Sequence, residues 1–204
     1  LVLKDILNLK KNFRTLILIT IFYIGIFRLS GDAAFLSGMI LFIFVMQFIT
    51  SFSYDDIAKW DRYALSLPIK RTEMVKSKYL LALIFLIIGS AASFLMDIGF
   101  RYFDNTLDIK KSLLTMYSLA AVACIFISIL MPLIYKFGVE RSRIMIIGCV
   151  AIPFGLLYII QKLGVEPPSE NMLMLLLKIS PLIVILIMYI SYLASCNIYN
   201  KKEI

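Results

Sequence analysis

The chain contains no histidine. That excludes Ser-His and Cys-His nucleophile pairs, HExxH zinc sites and any histidine proton relay. Its three cysteines, Cys124, Cys149 and Cys196, sit in apolar runs without CxxC spacing. They imply neither a disulfide framework nor a metal site, and buried free thiols are expected. No GxxxxGK(S/T) loop occurs and the polar segments are too short for a nucleotide domain, so the chain is expected to bind no nucleotide, metal or cofactor itself. An intramembrane protease is excluded by the missing histidine and by the lack of GxSG and EExxxR patterns. Charge is scarce as well: Asp, Glu, Lys and Arg make up 17%, against about 25% in soluble domains.

Apolar surface is what the sequence has in excess. Over 204 residues the apolar share is 61%, and the mean hydropathy is +0.93. A soluble core of this size cannot hide that much, so the chain reads as an integral membrane protein. A hydrocarbon layer of about 30 Å takes roughly 20 helical residues. Six runs meet or approach that length: 15–29, 33–52, 79–98, 113–135, 144–163 and 181–199. The expected fold is all-α and polytopic, one transmembrane domain over 1–204 with six helical spans.

The formal charge of +8 does not point to nucleic acid, because its placement has a simpler explanation. With the N-terminus cytoplasmic, 15 of the 21 Lys and Arg fall inside and six outside. The positive-inside rule then places both termini in the cytoplasm.

Three segments are neither span nor plain loop. Residues 1–14 read as an amphipathic interfacial helix, with Val2, Ile6, Leu9 and Phe13 on one side and Lys4, Asp5, Asn8, Lys11 and Asn12 opposite. Residues 53–78 form the longest cytoplasmic segment. Ser53 is its expected N-cap, Asp55 and Asp56 occupy the first helical turn, and Asp55 precedes Lys59 at i,i+4. Tyr54, Ile57, Ala58, Trp60, Ala64 and Leu65 fall on the opposite side, with Asp61 intruding. Pro68 ends that helix and a second begins near Lys70. Mixed charge of this kind suits recognition of another protein's surface. Residues 167–180, PPSENMLMLLLKIS, predict a short outer or re-entrant helix, with Pro181 starting the sixth span. Within the spans, Pro132 and Pro153 each free a backbone carbonyl and kink their helix. Asp97 and Arg101, with Asp104 a turn further, read as an interfacial ion-pair ladder at the outer end of the third span.

The run SFSYDDIAKWDRYALSLPIKRTEMVKSKYL resembles the segment after the second span in small six-span bacterial permeases of the type-2 export class of ABC transporters. The resemblance rests on Asp55, Asp56, Lys59, Trp60, Asp61, Tyr63, Ala64, Ser66, Leu67, Pro68, Arg71, Val75, Lys78 and Tyr79. KFGVERSR, with Phe137, Gly138 and Arg143, is similar to the second cytoplasmic signature of that family. Within that family the chain resembles the branch that exports phenol-soluble modulins, which are amphipathic peptide toxins, and relatives of that branch serve antimicrobial-peptide resistance.

The resemblance implies a permease in the bacterial cytoplasmic membrane, paired with a second copy or a sister permease. Separate ABC ATPase subunits would bind ATP and Mg, so the permease itself is not an enzyme. The N-terminal segment would be the elbow helix and 54–65 the coupling helix. Tyr54, Asp55, Asp56, Ile57, Lys59, Trp60, Arg62, Tyr63 and Leu65 would meet the ATPase, and Glu140, Arg141 and Arg143 would add a smaller contact. The competing expectation is a solute-binding membrane subunit of a vitamin uptake system, which would require convergent polar groups on the outer side.

Overall fold

The apolar runs become helices whose limits are set by where backbone hydrogen bonding stops rather than by where hydropathy falls. The computed structural model describes residues 1–27, 33–106, 108–162 and 170–202, and among these it contains helices and turns but no strand. Helix α1 (Val2–Leu9) passes through a 3-10 turn at Lys10–Asn12 into α2 (Phe13–Phe27). There follow α3 (Ala33–Ile57), the short α4 (Trp60–Leu65), α5 (Arg71–Phe103), α6 (Ile109–Lys162) and α7 (Glu170–Asn200).

Among the described residues four helices are long and apolar enough to cross a membrane: Ala33–Ile57, Arg71–Phe103, Ile109–Ser142 and Leu177–Asn200. Helix α2, on the first predicted span, has 15 residues, and residues 28 and 29 lie outside the described ones. The fifth predicted span, 144–163, falls on the latter part of α6, where most side chains and residue 163 itself are outside the described ones.

Helices α3 and α5 meet most closely. A Cβ added to Gly89 would stand 2.8 Å from the Phe44 Cβ, so the glycine is what lets the two backbones approach. Phe48, Val75, Leu130 and Met131 fill the space between α3, α5 and α6 and are fully buried. An edge-to-face aromatic run continues the core toward one end: Phe48–Phe52, Phe52–Tyr135 and Tyr135–Tyr199, with ring centroids 6.5, 5.3 and 5.3 Å apart.

Two prolines show how bonds between helices replace bonds within them. Pro132 has no N–H for the Ser128 carbonyl four residues back. The Ser191 hydroxyl of α7 donates to that carbonyl at 2.5 Å. Ser191 Oγ also lies 2.7 Å from the Tyr79 hydroxyl, which meets Ser195 Oγ at 2.9 Å. Three helices are thereby joined inside the bundle. Ser191→Ala should lower the unfolding temperature of the purified protein, by an amount corresponding to about 0.6–1.7 kcal/mol. Ser90→Ala, at a half-buried serine whose hydroxyl donates to the Ile87 carbonyl of its own helix, should not.

Pro181 corrects an expectation. The predicted short outer helix at 167–180 and a separate sixth span are instead one helix, α7, which runs through Pro181. The carbonyl that Pro181 leaves free is Leu177, and it accepts from Ser180 Oγ at 2.9 Å and from the Tyr117 hydroxyl at 3.2 Å. With that carbonyl satisfied, the proline no longer needs a helix end. Residues 167–169 lie outside the described ones.

Helix α1 is amphipathic, but its inward face differs from the wheel drawn on the sequence. Leu9 and Asp5 are both 2% exposed, while Leu3 and Leu7 are 71% and 58% exposed. Leu9 packs on Leu81 and Phe85 of α5 with Val2 beside it. Asp5, expected in solvent, is drawn inward by the lysine described next.

Candidate functional site at the terminal end

Leu1, the end of α7 with Lys202, the end of α3, all of α4, the start of α5 and a break in α6 gather at one end of the bundle. They enclose a cavity of about 40 Å³ lined by Asp5, Asp56, Trp60, Lys78, Gly138 and Tyr199, among others.

Four charges form its floor. Lys78 Nζ lies 3.0 Å from Asp5 Oδ2 and 2.5 Å from Asp55 Oδ2; Lys4 Nζ lies 3.2 Å from Asp5 Oδ1 and 2.6 Å from Asp55 Oδ1. The side chains of Asp5, Lys78 and Asp55 are 2%, 9% and 11% exposed, and that of Lys4 is 27% exposed. Lys78 also donates to Ser51 Oγ at 2.7 Å. Two cations and two carboxylates alternate, so the group is neutral while each charge keeps two partners, the condition under which buried ions are tolerated. The Lys4 ammonium further sits 3.9 Å from the centroid of the Trp60 ring. The cluster therefore links α1, α3, α5 and α4.

The predicted helix over 54–65 is broken. Helix α3 continues to Ile57, Lys59 adopts φ 48° and ψ 40°, and α4 starts at Trp60. Ser53 is therefore no N-cap: it lies inside α3, where its hydroxyl donates to the Ile49 carbonyl at 3.3 Å. The expected Asp55–Lys59 pair is likewise replaced, because Asp55 is taken by Lys4 and Lys78 and the left-handed residue carries Lys59 off the helix. That reversal turns Trp60 back onto the core beneath Lys4, with the Tyr63 ring 5.4 Å from it.

Asp61, the intruder on the apolar side, is explained by α7. It accepts from the Tyr199 hydroxyl at 3.1 Å and pairs with Lys202 at 3.5 Å. Arg71, one residue into α5, donates to the Tyr199, Asn200 and Lys202 carbonyls at 3.2, 2.8 and 3.0 Å. A guanidinium thus closes the negative end of α7, where carbonyls lack helical partners.

The second signature meets the first here. Gly138 breaks α6 at φ 80° and ψ 173°, a conformation essentially confined to glycine. The helix resumes at Val139, which lines the same cavity as Asp56, so the second segment lies against the first.

Of the expected site residues, Asp56, Ile57, Lys59, Arg62 and Tyr63 are exposed together with Glu140 and Arg141. Tyr54 turns inward, where its hydroxyl donates to Asn12 Oδ1 at 3.0 Å. Asp55 and Trp60 are engaged within the chain. The side chains of Leu65 and Arg143 lie outside the described residues. Ile57 is 79% exposed and Tyr63 59% exposed, so the projecting turn carries two large apolar side chains among charges. The part played by Lys4 and Asp5 was missed by sequence reasoning. Its signal was that Asp5 is the sole acid before Asp32, while Lys78 enters an apolar run with no acid beyond it until Asp97.

A further ion pair lies at the far end. Arg101 Nε donates to Asp97 Oδ2 at 2.7 Å, and both residues are buried, whereas Asp104 is exposed and outside the pair. Cys124 and Cys196 are free thiols, half-buried.

What the terminal end can do is mechanical. The turn between α3 and α4 is fixed through ion pairs and a hydrogen bond on either side of it to α1, α5 and the end of α7, so a push on the turn is passed to those helices. A family model described as ABC-2 family transporter protein matches residues 1–200. No curated protein and no solved structure matches the chain. With nearly the whole sequence covered, and with four apolar helices of membrane-spanning length, the chain belongs to the ABC-2 family of multi-pass transporter proteins, as a membrane component of transport.

Proposed function

We propose that this chain is the permease subunit of an ATP-driven exporter in a bacterial cytoplasmic membrane, and that the turn 57–59 with α4 couples it to a separate ABC ATPase. One observation carries the reading. Ile57, the most exposed large apolar side chain described, projects from a turn braced to α1, α5 and α7 and flanked by Lys59 and Arg62. An apolar anchor ringed by charge is how a docking surface is built. Glu140 and Arg141, just after the break at Gly138, would supply the smaller contact.

In this reading both termini are cytoplasmic and the chain spans the membrane six times, with α2 and the latter part of α6 completing the count. Six helices are too few to enclose a peptide-sized path, so two permeases would pair with cargo at their interface. Helix α2 supports that role: Ile17, Leu18, Ile21 and Phe22 are each more than half exposed. An apolar lateral surface rich in Phe, Met and Ile suits amphipathic peptides, of toxin or antimicrobial type, better than sugars or ions. The vitamin-uptake reading is not favoured by the family match.

Sidedness labelling tests the orientation. A cysteine at Asp108 should react with an impermeant maleimide in intact cells, and a cysteine at Lys59 only after permeabilisation. Reaction of the Lys59 site in intact cells would overturn the orientation and the coupling role with it.

A further inference from the structure

A groove runs along the outside of the bundle between α5 and α7, with a volume of about 510 Å³, within the span of small-molecule sites. Its charge is one-sided: Lys76 lies at the end nearer the termini, and no carboxylate lines it. Lys76 is exposed and has no ion pair among the described residues. Beyond it the walls are apolar, with Leu80 and Leu83 from α5 facing Ile185 and Met188 from α7. Tyr79 forms part of the floor. Its hydroxyl is turned away toward Ser191 and Ser195, and its ring stands edge-on to Tyr192 at 5.5 Å. Tyr79 thus shows an arriving chain its ring rather than its hydroxyl, and Tyr189 and Tyr192 complete the α7 wall.

Depth fits the same occupant. From Lys76 to Leu83 is seven residues, about 10 Å along a helix. One leaflet's hydrocarbon is about 15 Å deep, half of a 30 Å core. A cation at headgroup level with apolar walls reaching most of the way to the midplane matches an anionic lipid in both charge and length.

We propose that this groove holds an acyl chain of an anionic phospholipid from the cytoplasmic leaflet, with the Lys76 ammonium on the headgroup phosphate. The placement rests on the cytoplasmic orientation of the terminal end, which the Lys59 and Asp108 labelling decides separately. It rests on no step of transport, so it survives or fails independently of the ATPase partner.

The test uses the full chain in vesicles of phosphatidylglycerol and phosphatidylcholine in equal parts. A trace of either lipid carries a photoreactive diazirine in one acyl chain, and crosslinked peptides are mapped. The phosphatidylglycerol probe should label the segments around Leu83 and Ile185 in preference to the phosphatidylcholine probe. Lys76→Gln should lower that labelling about 5-fold, the effect of one interfacial lysine, while Lys76→Arg preserves it. Leu83→Trp, which fills the groove, should lower labelling by both probes with helicity unchanged. Equal labelling by the two probes, indifferent to Lys76→Gln, would mean unselected bulk lipid and overturn the proposal. Displacement of the probe by an amphipathic peptide, or a disulfide between two chains through cysteines at Leu83 and Ile185, would also overturn it by assigning the groove to cargo or to a second copy.

Discussion

Lys78→Met should destabilise the permease by about 3–5 kcal/mol, the usual cost of leaving a buried charge unpaired. Lys78 contacts both carboxylates of the cluster, and its removal leaves Asp5 and Asp55 sharing Lys4 alone. Asp5 is 2% exposed and cannot turn to water for compensation. The loss should be strongly non-additive. Adding Asp5→Asn to Lys78→Met removes the excess negative charge and should recover about 1–3 kcal/mol, although Asp5→Asn alone destabilises. Lys4→Met should cost less, because its side chain is 27% exposed and water replaces part of what is lost. Thermal unfolding of the purified permease, followed by circular dichroism, checks all four variants. An additive double mutant, or a Lys4→Met cost exceeding that of Lys78→Met, would show that the four charges do not act as one unit.

Ile57→Asp should weaken the ATPase complex at least about 30-fold, equivalent to about 2 kcal/mol for a lost apolar anchor, while leaving the permease folded. The second half of that statement follows from exposure: a side chain 79% exposed contributes little to the core it leaves. Tyr63→Ala should act in the same direction. Lys59→Ala should cost under about 1 kcal/mol, as an exposed ion pair does. Trp60→Ala should behave differently from all three. Its ring lies against the core and under Lys4, so the change should lower permease stability and reach the ATPase only through a loosened turn. Binding of each variant to the ATPase, measured beside its own unfolding temperature, separates the two classes.

The membrane helices were legible because apolar length is a local property. The run 33–52 became α3 and the run 79–98 lies within α5, while Pro68 and Lys70 marked where α5 starts. The helix ends were not legible, since α3 continues through Ser53–Ile57 on backbone bonds to which hydropathy is blind. Pro181 misled for a related reason. Besides the adjacent Ser180, the donor to its free carbonyl is Tyr117, 60 residues from Leu177, and no local pattern contains that second partner. Asp5 failed by the same logic, because a helical wheel has no place for Lys78. The 53–78 segment was legible as an exceptional stretch from its mixed charge. The left-handed turn at Lys59 that sorts it into braced and exposed residues was not, as it depends on Trp60 finding Lys4.

The coupling claim is tested most directly in proteoliposomes holding the permease with its ABC ATPase, by measuring ATP hydrolysed and amphipathic peptide moved in the same sample. The account predicts that Ile57→Asp permease inserts with the wild-type unfolding temperature, yet loses both peptide movement and any permease-dependent hydrolysis, whereas Lys59→Ala retains most of each. Wild-type movement and hydrolysis in the Ile57→Asp sample would contradict the account, because the projecting turn would then carry no force.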